Sequence, residues 1–289
     1  MKVLLTGSSG FLGKNILKHL LSKNYSVAIL LRKEYSTLKD YKTSQACIHL
    51  SSKSKDDINY SIKEFKPEII IHTACCYGRN GETKEEIRKA NFCYGKDILE
   101  AALKEKLNLC FINISTPLPK ALNEYSKTKY EFKEFISNLS STKNTLIKHI
   151  EICPQHLLGK DSDETKFTSY VINSLMRKEN QILLTKGTQK RDFIHVQDFI
   201  SALDLILNNF HEIENNEKFE VGLGTAISIR SFVELVKNVI ESPTKLIFGA
   251  LEMRENEVKY LEADNKKLKA LGWTPKFNLK SSIEASILK

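Results

Sequence analysis

No stretch of this chain approaches the ~18 apolar residues that a membrane-crossing helix needs, and no charged-then-apolar leader stands before the first strand. A soluble, cytoplasmic protein without a membrane partner is expected. Metal-binding spacing is missing too. The six cysteines, Cys47, Cys75, Cys76, Cys93, Cys110 and Cys153, form no Cys-x-x-Cys pair, and no Cys/His cluster has zinc-ligand spacing. No metal is expected. Most of these cysteines sit in apolar runs, which reads as reduced core or pocket thiols. Internal repeats, low-complexity tracts and a clear flexible linker are also absent. The net charge of +9 comes from scattered lysines, with no basic stripe interleaved with aromatics. That argues against nucleic acid. It leaves either a compositional bias towards lysine or a small polyanionic ligand such as NADP or a sugar nucleotide.

What is present is length and alternation. A chain of 289 residues buries a sizeable core without disulfides. Strands are predicted over 2–6, 26–31, 46–50, 68–72, 109–114 and 145–150. Helices over 11–22, 55–65, 83–106 and 124–139 separate most of them. Strands that are apolar on both faces and divided by helices predict an α/β fold, a Rossmann doubly wound parallel sheet. From about Cys153 the elements become shorter and mixed. Residues 1–152 are therefore expected to bind a dinucleotide, with some later segments returning to that domain. Residues 153–289 are expected to form mainly a smaller, mixed α/β substrate domain.

Between the first strand and helix lies Thr6-Gly7-Ser8-Ser9-Gly10-Phe11-Leu12-Gly13. Glycines at 7, 10 and 13 permit a tight turn, close backbone approach to a pyrophosphate and close helix–strand packing. The helix start then offers free N–H groups to the phosphates. Gly7, Ser9, Gly10, Phe11, Leu12 and Gly13 are the candidate cofactor contacts. Alone, such a glycine spacing is weak; its place inside a βαβ unit gives it weight. The second strand ends on Leu31-Arg32-Lys33, where an acidic residue would suit a free ribose 2′-hydroxyl. Arg32 suits a 2′-phosphate instead. NADP(H) is preferred, and the neighbouring Glu34 leaves NAD(H) open.

Tyr125-Ser126-Lys127-Thr128-Lys129 places Tyr125 and Lys129 on one helical face. An ammonium beside a phenol stabilises the phenolate, so the tyrosine can exchange a proton with a carbinol oxygen. Ser115 and Thr116 end the preceding strand, and either hydroxyl could complete the centre. A lone Tyr-x-x-x-Lys is usually a surface pair. A hydroxyl-tipped strand just before it, within a dinucleotide-binding half, favours catalysis.

These features together resemble the extended short-chain dehydrogenase/reductase family, the NAD-dependent epimerase/dehydratase group, over nearly the whole chain. Further markers are Ile71-His72-Thr73-Ala74, Asn91 and Gly95, Arg191-Asp192-Phe193-Ile194-His195-Val196-Gln197-Asp198, and Leu271-Gly272-Trp273. The resemblance implies that Thr73, Ala74, Cys75 and Asn91 join the cofactor site. It also implies that Arg191 and Arg254 grip a substrate diphosphate, with His156, Lys166 and Phe167 on the substrate side. The stretches Phe248–Glu257 and His72–Gly78 are similar to 4-ketoreductases of the CDP-abequose synthase type. A homodimer through the two long helices is implied as well.

Departures from the family narrow the chemistry. Its dehydratases carry Asp-Glu after the strand-end threonine, and some epimerase/reductases carry a cysteine nearby; this chain has Pro117-Leu118. Cys153 stands where the family usually has an arginine. His195 reads as a buried structural histidine. The expected activity is NADPH-dependent reduction of the C4 ketone of a nucleoside-diphosphate 4-keto-6-deoxysugar, in deoxysugar biosynthesis for surface polysaccharide. Two alternatives stand beside it: a nucleotide-sugar 4-epimerase with tightly bound NAD, and a non-catalytic cofactor-binding protein.

Overall fold

A computed structural model describes residues 1–32, 47–142, 145–160, 162 and 165–287. The chain divides into two compact units, Met1–Cys153 with Ile206–Phe219, and Pro154–Leu205 with Glu220–Lys289.

The first unit is built on a seven-stranded sheet. Its strands are β1 (Lys2–Thr6), β2 (Ser26–Leu31), β3 (Cys47–Ser51), β4 (Ile69–His72), β5 (Leu109–Ile114) and β6 (Ile147–Pro154), with β10 (Glu217–Val221) at one edge. The order is β10-β6-β5-β4-β1-β2-β3, and every pairing among β1 to β6 is parallel. Val3, Leu4 and Leu5, like Ile69 to Ile71, are wholly buried, as a strand covered on both faces requires. The reversal of strand order at β1 opens a crevice beyond the strand ends.

Helices α1 (Phe11–Ser22), α2 (Lys55–Phe65) and α5 (Glu124–Ser140) follow the predicted apolar spacing. Reciprocal capping boxes start two of them, Ser54 with Asp57 and Asn123 with Ser126. The helix predicted over 83–106 is interrupted. It runs as α3 (Lys84–Arg88), a π-helical turn (Lys89–Cys93) and α4 (Tyr94–Lys104). The wider turn carries Asn91, whose amide is used elsewhere. Gly95 lets α4 lie against the Phe132 ring of α5; a Cβ there would overlap that ring. β6 also differs from its predicted span. It starts at Ile147 and continues past Ile150, because the ion pair with Lys133 lets Glu151 sit inside a buried strand.

The second unit holds β7 (His156–Leu158), β9 (Lys190–His195), β11 (Ala226–Ser228) and β13 (Tyr260–Leu261) in one sheet. β8 (Gln181–Leu184) pairs in parallel with β12 (Lys245–Phe248). The helices α6 (Phe167–Met176) and α8 (Ile229–Ile240) pack their apolar faces around Phe193 and Phe232, whose rings stack at 4.1 Å. The Arg191–Asp198 run organises this unit. Asp192 accepts from the backbone N–H groups of Leu223, Gly224 and Ala263, and Asp198 from those of Lys276 and Phe277. The Trp273 indole donates to Ser201 at 3.0 Å. His195 is buried against the Phe277 ring at 4.2 Å, and burial lowers its pKa.

Candidate active site

The glycine turn is shaped by close approach. Gly7 has φ +69°, and a Cβ there would fall 2.5 Å from Thr73 Oγ1 and 2.7 Å from the Ala74 nitrogen. A Cβ on Gly13 would overlap the Gly7 carbonyl. The Thr73 hydroxyl donates to the Thr6 carbonyl at 2.7 Å, and the Ala74 N–H reaches Thr6 Oγ1 at 3.3 Å. The loop 73–75 is thereby stitched beside the turn. Helix α1 begins at Gly10 with no side-chain cap and no acidic residue in its first turn. Ser9, Phe11 and Leu12 are half-buried along it. Uncapped N–H groups without a competing carboxylate fit a dinucleotide pyrophosphate. Arg32 is exposed at the end of β2; Lys33 and Glu34 lie outside the described residues.

The structure brings Tyr125 to Thr116. The Thr116 side chain is near enough to favour the Tyr125 phenolate, and Ser115 is not among the groups that act on it. Tyr125 is 8% exposed and Lys129 1%. Burial pushes the Tyr125 phenol above its ordinary value and Cys75 adds to this; the Thr116 bond and the Arg79 charge oppose it. The largest cause is burial, because a buried phenolate loses its hydration. Tyr125 holds its proton. Burial lowers the Lys129 pKa, and Cys75, Glu151 and Cys153 pull it back up.

Two supports around this centre rest on contacts that the sequence did not signal. Asn91 is fully buried and clamps Cys76, its Oδ1 accepting from the Cys76 N–H at 2.7 Å and its Nδ2 donating to the Cys76 carbonyl at 2.9 Å. The same Nδ2 donates to Thr128 Oγ1 at 3.1 Å, which ties the loop to α5. Asn91 therefore shapes the Cys75–Cys76 loop. That loop lays the Tyr77 ring 4.9 Å from the Tyr125 ring, and Arg79 sits 4.8 Å over Tyr77. Tyr77 was visible in the His72–Gly78 stretch; its stacking depends on the loop path.

The candidate substrate residues all lie in the second unit. Arg191 Nη2 donates to Glu257 Oε1 at 2.5 Å and Nη1 to the Lys190 carbonyl at 2.8 Å. Arg254 is exposed on the turn that delivers Glu257. His156 sits 5.6 Å from the Phe193 ring, and Lys166 and the exposed Phe167 start α6.

A sequence model of the NAD dependent epimerase/dehydratase family matches residues 3–222. CDP-abequose synthase of Salmonella typhimurium is 31% identical over 98% of this chain and 96% of its own. CDP-abequose synthase of Salmonella muenchen is 27% identical over the same shares. The crystal structure of UDP-glucose 4-epimerase from Thermotoga maritima, with UDP-glucose, superposes with a TM-score of 0.84 at 20% identity, covering 99% of this chain and 98% of that one. No helix among the described residues is long and apolar enough to cross a membrane.

Proposed function

The chain belongs to the NAD dependent epimerase/dehydratase family, and on that premise we propose that it reduces the C4 ketone of a nucleoside-diphosphate 4-keto-6-deoxysugar with NADPH. The observation that carries this reading is the buried Tyr125–Thr116 hydroxyl pair, beside buried Lys129 and followed by Pro117-Leu118. Such a centre can deliver one proton to an oxygen. It offers no second acid/base at the strand end for elimination or for epimerisation beside the ketone.

The bound dinucleotide supplies the hydride. Thr116 hydrogen-bonds the ketone oxygen and fixes it against Tyr125. As negative charge grows on that oxygen, Tyr125 gives up the proton that its burial has retained. The Lys129 ammonium offsets the phenolate left behind. Gly7, Gly10 and Gly13 would admit the pyrophosphate, and Thr73, Ala74 and Cys75, stitched beside that turn, would help hold the dinucleotide. Arg32 meets a 2′-phosphate. Arg191 and Arg254 take the substrate diphosphate, with His156, Lys166 and Phe167 towards the sugar nucleotide. A second copy pairs through the two long helical segments, 83–106 and 124–139. The setting is the cytoplasm, in deoxysugar supply for surface polysaccharide, as the likeness to CDP-abequose synthase suggests.

The test is incubation with NADPH and a panel of CDP- and GDP-linked 4-keto-6-deoxysugars, with NMR of the product. One NADPH oxidised per alcohol formed supports the reading. The fold likeness to a UDP-glucose 4-epimerase favours a second reading, epimerisation with retained NAD. Turnover without net cofactor change would establish that one and defeat the reductase.

A further inference from the structure

Two side chains beside the reacting phenol have no part in the chemistry described so far. Tyr77 and Arg79 lie on the loop after β4. The Tyr77 ring packs on the Tyr125 ring with centroids 4.9 Å apart and planes tilted by 37°. That separation lies within the range in which aromatic pairs attract. The Arg79 guanidinium stands 4.8 Å from the centre of the Tyr77 ring, close enough for a cation–π contact. Tyr125 thus touches an aromatic ring that itself carries a cation.

The backbone of this loop is held on both sides of the two residues. Before them, Asn91 clamps the N–H and the carbonyl of Cys76. Between them, Gly78 has φ +68°, and a Cβ there would fall 2.6 Å from Ile87 Cδ1. After them, Glu82 accepts from the Asn80 N–H at 2.8 Å, and Thr83 opens α3 through a capping box with Glu86.

Tyr125 is only the second residue of α5. Helical side chains normally lean on the turn before their own, and at this position no such turn exists. Support for the ring must come from outside the helix, and Tyr77 supplies it. Cys75 and burial push the Tyr77 phenol well above its ordinary value, so the ring on Tyr125 is uncharged. The groups that act on the Tyr125 phenol come from three elements. Burial does most to keep its proton. Cys75 of the loop and Cys153 of β6 add to this, and Thr116 and Arg79 favour the phenolate. Lys129 lies one turn along α5. The Arg79 guanidinium stays charged at any working pH.

We propose that Tyr77 and Arg79 are positioning residues for Tyr125: the Tyr77 ring fixes the angle at which the phenol meets the ketone oxygen, and the Arg79 charge, held on that ring, steadies the phenolate left after proton transfer. The proposal deepens the reductase reading above and rests on it. Arg79 becomes a second cation for the phenolate beside Lys129, supplied by the loop and not by the helix.

Tyr77→Leu removes the ring and should lower kcat about tenfold, with KM for NADPH and for the sugar nucleotide within about twofold, as loss of alignment alone would. Tyr77→Phe keeps the ring and should recover the rate. Arg79→Met removes the charge at similar length. It should lower kcat and move the pH profile of the reverse reaction, alcohol oxidation with NADP, to higher pH, because the phenolate forms less readily. Arg79→Lys should bring the profile back. The double variant should be little slower than Tyr77→Leu alone, since the ring holds the cation. An unchanged kcat in Tyr77→Leu or an unchanged profile in Arg79→Met would overturn the proposal. So would a raised KM for the sugar nucleotide at constant kcat, which would make the pair substrate contacts. Should Tyr77→Leu not fold, the Arg79 variants carry the test. If the wild type reduces none of the 4-keto sugars, the reductase reading fails, and Tyr125 is then read directly. NMR of ring-labelled tyrosine in the NADP complex, assigned by the signal lost in Tyr125→Phe, follows its ionisation without substrate. Ionisation at higher pH in Arg79→Met supports the Arg79 role; coincident titrations overturn it.

Discussion

Replacing Glu257 by Gln should make substrate bind more tightly while making the protein less stable. Arg191 is nearly enclosed, with 7% of its side chain exposed, and its guanidinium holds Glu257, whose side chain is 24% exposed. Two unit charges 4 Å apart attract by about 4 kcal/mol at the effective dielectric of a protein surface. Desolvation reduces the net worth of such a charge-assisted bond to about 1.5–3 kcal/mol. A diphosphate arriving at Arg191 must displace this carboxylate, which regains water on leaving. If the competition amounts to about 1.4 kcal/mol, its removal lowers KM for the sugar nucleotide about tenfold. Thermal unfolding of the same variant should show a loss of about 1–2 kcal/mol, since Gln still accepts a hydrogen bond but carries no charge. Steady-state kinetics at fixed ionic strength and calorimetry read the two effects separately. An unchanged or higher KM, together with lower stability, would refute a diphosphate role for Arg191 and leave it a structural ion pair.

Tyr125→Phe should lower kcat by about 10²–10⁴ with NADPH binding intact, because the proton donor is lost while the ring remains; NADPH fluorescence titration and single-turnover rates check both halves. Arg32→Ala should weaken preference for NADPH over NADH about tenfold, read from the ratio of kcat/KM values, as one bidentate contact to a 2′-phosphate disappears. Gly13→Ala should abolish dinucleotide binding, since its Cβ meets the backbone oxygen of Gly7 and not a yielding side chain; equilibrium dialysis with NADPH reads this. Burial holds His72 at about 3 in the folded state, with the Lys129 charge acting in the same direction, against an ordinary value of 6.5. The unfolded chain then binds the extra proton first, so stability present above pH 6.5 falls by about 1.4 kcal/mol per pH unit on acidification towards 3. Melting curves between neutral and acid pH should flatten in His72→Gln.

The alternation of Val3-Leu4-Leu5, Gly7-x-x-Gly10-x-x-Gly13 and the Phe11–Ser22 helix made the dinucleotide unit legible from the chain alone. Each of those signals is local, set by periodicity of two or 3.6 residues or by what a glycine permits. The same holds for Tyr125 and Lys129, which one helical turn puts on one face. The contacts that complete the site join residues far apart in sequence. Thr116 rather than Ser115 meets Tyr125 because of how β5 ends against α5, and Asn91 reaches Cys76 only through a π-helical turn that no spacing rule signalled. Local patterning determined the fold and singled out Tyr125 and Lys129 as the candidate pair. Tertiary packing decided their protonation: burial keeps the proton on Tyr125, and strand register alone aligns His72, Asn113 and Glu151, which are about 40 residues apart along the chain.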